Sequence, residues 1–139
     1  MTERDKGILA LRPETIGEIH PQSSSEEIFQ NKTLRPALKF QNDLFVEAFI
    51  NYANKQKKQF YTLTTDKKLQ YIENAIHRDI KFRNVLKGMI IGIFTTDEFN
   101  DYVQNSSNIN KRMMNLLIER LKDQVQLIVN DGEQIKQTI

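Results

Sequence analysis

Apolar residues recur at spacings of three, four and seven along most of residues 38–129, and nearly every break between those runs carries a residue that caps helices. This pairing constrains the fold more than any other feature, because a 3.6-residue period gathers the apolar side chains on one face of a helix. SSSEE at 23–27 holds two overlapping capping boxes, Ser23 with Glu26 and Ser24 with Glu27, and predicts a short helix through Ile28 and Phe29. Thr33 is expected to open a second helix, with Pro36 in its first turn where a missing N–H costs little. Its stripe is Leu38, Phe45, Phe49 and Tyr52, with Leu44 and Ala48 beside them, and it should fade in the polar run 54–59. Phe60, Tyr61 and Leu63 form the next connection, and Thr64 or Thr65 caps a third helix with Leu69, Ile72 and Ile76 inward.

Further on, Phe82, Leu86, Met89, Ile90 and Ile93 share one helical face. The run MIIGIF would also suit a strand, but the chain holds no second candidate for it to pair with, so a helix is expected. Gly88 and Gly92 lie four apart on that helix, a spacing that lets another backbone approach closely. Their expected role is a tight helix crossing in the core, with a dimer seam as the alternative. Thr95 and Glu98 make another capping box, ahead of a short helix with Phe99, Tyr102 and Val103. Asn105, Ser106 and Ser107 start the longest helix, which should run to about Val129 and stop at Gly132. Its stripe of Met114, Leu117, Leu121, Val125 and Ile128 is widened by Ile109, Met113, Leu116 and Ile118, which implies burial on more than one side.

The expected fold is therefore all-α: one compact bundle of five or six helices over 23–130, with an irregular N-terminal arm at 1–22 and a frayed tail at 131–139. Gly7, Pro13, Gly17 and Pro21 interrupt the arm, and its aliphatics Ile8, Leu9, Leu11, Ile16 and Ile19 follow no sustained period. Such an arm is either flexible or docked on the domain or on a neighbouring subunit.

Among function classes, the absence of cysteine excludes disulfides, thiolate catalysis and cysteine metal sites. His20 and His77 are the only histidines, and they are far apart in the chain. Asp97, Glu98 and Asp101 could be imagined around a divalent cation, but acidic residues in a first turn more simply complement the helix dipole. No metal or cofactor is expected. No apolar stretch approaches the roughly 20 residues that span a bilayer, so the chain reads as soluble and cytoplasmic.

Net charge is +2, unevenly spread: residues 1–31 carry −3 and residues 55–87 carry +6. AIHRDIKFRNVLKG at 75–88 has the spacing of a kinase catalytic loop, with His77, Arg78, Asp79 and Asn84 in register. Phosphoryl transfer also needs a glycine-rich loop and a D-F-G aspartate. Glycines at 7, 17, 88, 92 and 132 cannot make the first and the second does not follow Asn84, so kinase activity is rejected. Asp79 instead reads as the cap of a new helix, with His77 closing the one before and Arg83 placed to pair with Asp79 across a turn.

FQNKTLRPALKFQNDLF (29–45), IKFRNVLKGMIIGIFTTDEF (80–99) and NSSNINKRMMNLLIERLKDQ (105–124) together resemble a small family of bacterial proteins of about this length with no established activity, some of which are labelled glyoxalase. Glyoxalases are built from βαβββ modules that present histidine and glutamate metal ligands. This chain has neither the strands nor the histidines for that, and the resemblance implies no site residues.

The sequence thus favours a non-enzymatic helical protein-interaction module, self-associating as a homodimer, with Gly88, Gly92, Met114, Leu117 and Leu121 as helix-packing or dimer contacts. The alternative is nucleic-acid binding through the basic segment 55–87, chiefly KQKKQFYTLTTDKK (55–68), and a third reading is an enzyme of unknown type. In the basic segment Lys55, Lys57, Lys58, Lys67 and Lys68 would meet phosphates, and Phe60 or Tyr61 would stack on bases.

Overall fold

The computed structural model describes residues 1–130, and no strand occurs among them. The body is built from six helical stretches. α2 (Ser25–Phe29) continues through a π-helical segment, Gln30–Leu34, into α3 (Arg35–Phe40) as one rod, and α4 (Asn42–Lys55), α5 (Thr65–Arg78), α6 (Ile80–Ile91), α7 (Thr96–Gln104) and α8 (Ser106–Asp123) follow. Short 3₁₀ turns lie at Gln59–Thr62 and Val125–Leu127. α8 runs along the middle of the bundle, packing on α5, α6, α7 and the π segment. Phe45, Phe49, Leu86, Ile90 and Leu117 meet at its centre, each fully buried.

Local chemistry explains the boundaries. The hydroxyls of Ser24, Thr64 and Thr95 and the carboxylate of Asp79 each accept the amide hydrogen three residues on, at Glu27, Lys67, Glu98 and Phe82. Glu98 returns the bond to the Thr95 amide, completing a capping box. Thr33 caps nothing: it is buried inside the π segment, and its hydroxyl donates to Glu98 Oε2 at 2.8 Å. Ser23 likewise takes the amide of His20 rather than that of Glu26. MIIGIF is helical through Ile91.

The longest helix stops at Asp123, short of the expected Val129. Gln124 and Asn42 exchange side-chain bonds at 2.6 and 2.7 Å, turning the chain back so that Ile128 is buried. Gly132 and the tail 131–139 lie outside the described residues.

The glycine pair does not make the expected crossing. A Cβ built on Gly88 meets nothing within 4 Å, and one on Gly92 meets the carbonyl of Gly88 at 3.0 Å, within its own turn. Gly88 is open to solvent, and Gly92 simply ends α6.

The arm is more ordered than its sequence implies. α1 (Glu3–Leu11) starts at a Thr2 cap and lies against the α6–α7 junction, held almost wholly by polar groups. Arg4 donates to the carbonyls of Phe94 and Gly92 at 2.8 and 2.9 Å, and Arg12 to that of Ile93 at 3.0 Å. These guanidiniums satisfy carbonyls left without partners where α6 ends. Asp5, only 2% exposed, accepts from the amide and hydroxyl of Thr96. Arg12 and Glu98 close the clasp with paired bonds of 2.6 and 2.8 Å.

Candidate functional site

The apparent kinase motif sits at a tight joint, where one residue, Asp79, separates α5 from α6. Its Oδ1 accepts the Phe82 amide at 3.1 Å, and its Oδ2 accepts the Tyr52 hydroxyl at 3.1 Å. The carboxylate is therefore held by a cap and a phenol. Arg83 turns away from Asp79, and its guanidinium donates to the His77 carbonyl at 3.1 Å. His77, Arg78 and Asn84 are exposed.

Because α5 and α6 diverge from this joint while α4 ends beside it, a cleft of about 640 Å³ opens between the three. Tyr52 and Gln56 line it from α4 and the turn that follows, Gln59 from the 3₁₀ segment, and Tyr71, Asn74, Ala75 and Arg78 from one face of α5. A second groove of about 480 Å³ between α4 and α6 shares Tyr52, Gln56 and Asp79 and adds Lys55, Lys81 and Val85. Together they make a continuous furrow around the α4 C-terminus.

The floor of the furrow is a packed aromatic cluster. Tyr52 stacks on Phe82 with ring centroids 4.1 Å apart, while Phe49, Phe60 and Tyr71 pack edge-on at 5.3 to 6.2 Å. Burial, followed by the bond to Asp79, pushes the Tyr52 phenol up to about 12, and burial raises Tyr71 as well. Both therefore stay neutral at ordinary pH.

Cations ring this floor. Among the described residues, Lys55, Lys57, Lys58, Arg78 and Lys81 form no ion pair. Lys57 and Lys58 stand between the two cleft-lining glutamines in an unusual backbone: both have left-handed φ, 61° and 59°. The Lys58 amide donates to the Ala53 carbonyl at 3.1 Å, which makes this turn a Schellman closure of α4 with Lys57 in the place that glycine usually holds. A side chain in left-handed backbone costs about 1 kcal/mol or more.

The residues picked out by sequence fall into three groups. Lys55 lines the second groove, whereas Lys57 and Lys58 line neither cleft and lie in the turn between the lining residues Gln56 and Gln59. Lys67 lies on α5 one turn before Tyr71, and Lys68 places its Nζ 5.3 Å above the Phe60 ring. Phe60 cannot stack on a base, because it is wholly buried, and the Tyr61 hydroxyl donates to Asn54. The aromatic side chains that line the furrow are instead Tyr52, which belongs to the expected stripe of its helix, and Tyr71. Met114, Leu117 and Leu121 are 7%, 0% and 0% exposed, so they pack α8 within one chain and present no surface to a second.

Elsewhere, Glu98 is saturated by Arg12, Thr95 and Thr33, and Asp97 and Asp101 face solvent. Among the described residues no group of three or more His, Asp or Glu side chains converges as a metal site would. No described helix is long and apolar enough to cross a membrane. No protein-family model, curated protein or solved structure matches the chain.

Proposed function

We propose that the protein is a non-catalytic binding module whose furrow around the α4 C-terminus takes a polyanion, with single-stranded nucleic acid as the fitting class. The observation that carries this reading is the Lys57–Lys58 turn. Two lysines occupy left-handed backbone where glycine would be less strained, beside a cleft and without carboxylate partners. Strain retained in a turn flanked by cleft-lining residues is characteristic of functional loops. Lys55, Arg78 and Lys81 extend the cationic rim for phosphates, while Tyr52, Tyr71, Asn74, Gln56 and Gln59 supply ring edges and amides suited to unpaired bases. An acidic peptide would match the charge but would leave that mixed floor unused. A cytoplasmic location follows from this reading.

Fluorescence anisotropy with labelled 20-mer (dT) and (U) strands tests it. Binding is expected at low salt, weakened about tenfold or more by Lys57→Glu combined with Arg78→Glu. An unchanged signal at ~50 mM salt with micromolar protein would sink the proposal. The second reading is a self-associating protein-interaction module, supported by the way in which the arm is attached.

A further inference from the structure

We infer that α1 exchanges between two copies of this chain, so that the clasp seen within one molecule also forms reciprocally in a dimer; this rests on the self-association reading. The arm is attached in an unusual way. A docked terminal helix normally buries apolar residues, but α1 buries Asp5, and Arg12 just beyond it, while Leu9 and Leu11 remain 45% and 67% exposed. Its grip consists of directional bonds from Arg4, Asp5 and Arg12 to one receptor, the α6–α7 junction. Everything the receptor needs is carried by one short segment, and a second copy supplies the identical segment.

The connection permits the exchange. Residues 13–24 span up to about 40 Å when extended. Their backbone touches the body through the Ile16 amide on the Asn31 carbonyl, at 3.0 Å, and the Glu18 carbonyl under the Asn31 side chain, at 3.1 Å. Since cis and trans clasps are the same contacts, the effective concentration of the tethered arm decides between them, and for a short tether this is of order 1 mM once its bonds to Asn31 are released. Exchange is a low-cost route to a symmetric dimer.

A charge-reversal pair decides the matter. Arg12→Glu and Glu98→Arg each set like charges against one another within a chain, but when the two variants are mixed, both clasps of an exchanged heterodimer are complementary. Light scattering should show each variant alone as a monomer and the mixture as a 1:1 dimer. A mixture that stays monomeric while both variants keep wild-type helical circular dichroism overturns the exchange.

Should either variant fail to fold, ordinary and ¹⁵N-labelled wild-type chains are refolded together at ~1 mM and cross-linked through lysine. Lys6 on α1 and Lys32, in the pocket of Leu9 and Arg12, are the reporter pair. Mixed-isotope links support exchange. Same-isotope links in a dimeric sample would leave self-association standing and remove the arm from it, whereas a monomer throughout removes both.

Discussion

At the scale of single residues, the most informative side chain is one standing where glycine belongs. Lys57 closes α4 in left-handed backbone at φ 61°, so replacing it removes a conformational cost together with a charge. Lys57→Gly should raise stability by about 1 kcal/mol, a gain of roughly 4 °C in melting temperature for a chain of this size. The same change should weaken oligonucleotide binding about threefold through the loss of one phosphate contact. Calorimetry and anisotropy on one sample check both. A variant that is stabilised and binds as before would show that the turn carries strain for another reason. Gly88 makes the opposite case: it stands exposed inside α6 with nothing near it, so a glycine pair four apart records only a helix that ends at Gly92.

At the scale of elements, the arm's hold depends on ionised carboxylates. Burial pushes the Glu98 carboxyl up, but the Arg12 guanidinium, the Thr95 amide and the Thr33 hydroxyl outweigh it and hold the group below its ordinary value. The Thr96 hydroxyl is the largest influence on Asp5, and it too lowers that group, against the opposing effect of burial. For a carboxylate depressed on folding, the stabilisation is present above the unfolded-state value, near 4, and is lost as pH falls through the lower folded-state value. The clasp should therefore be insensitive to pH between about 5 and 8 and should open below about pH 4. Amide exchange across residues 3–11 should accelerate there before that of α4 or α8. Uniform loss of protection in all three helices would show that the arm is not a separate unit.

The same elements show what a sequence reveals. Ser24, Thr64, Asp79 and Thr95 cap the helices that their neighbours predict, because a cap is closed by an amide three residues away and is written locally. α1 escaped notice because periodicity detects apolar stripes, and this helix buries an aspartate. Its local signs, a Thr2 cap and acidic residues at 3 and 5, were present and outweighed by Gly7 and Pro13. Arg12, Thr33 and Glu98 could not be joined in advance, since 86 and 65 residues separate the partners. Phe60 is buried rather than open to a base for a related reason: a spacing rule gives a face but not its depth.

At the scale of the molecule, charge that looks dispersed along the chain becomes local in space. The net +6 of residues 55–87 includes Arg83, which is bonded to the His77 carbonyl, and Lys68, which lies over Phe60, so neither is fully free for a ligand. Besides Lys67 and Lys87, that leaves Lys55, Lys57, Lys58, Arg78 and Lys81, all near the end where α4 stops and α5 meets α6. Three to five of them in contact with phosphate would release counterions from a single strand with a slope of roughly −2 to −3.5 in log K against log salt. A helical protein that bound the same strand by ring stacking alone would give a slope near zero. Titrations from ~50 to ~300 mM salt distinguish the two. Because the ring edges sit below the cations, Tyr71→Ala should weaken binding at every salt concentration and leave the slope unchanged, while Lys81→Gln should flatten it by about 0.7. A slope that stays flat in the wild type would mean that the lysines around this furrow serve only to keep it in water.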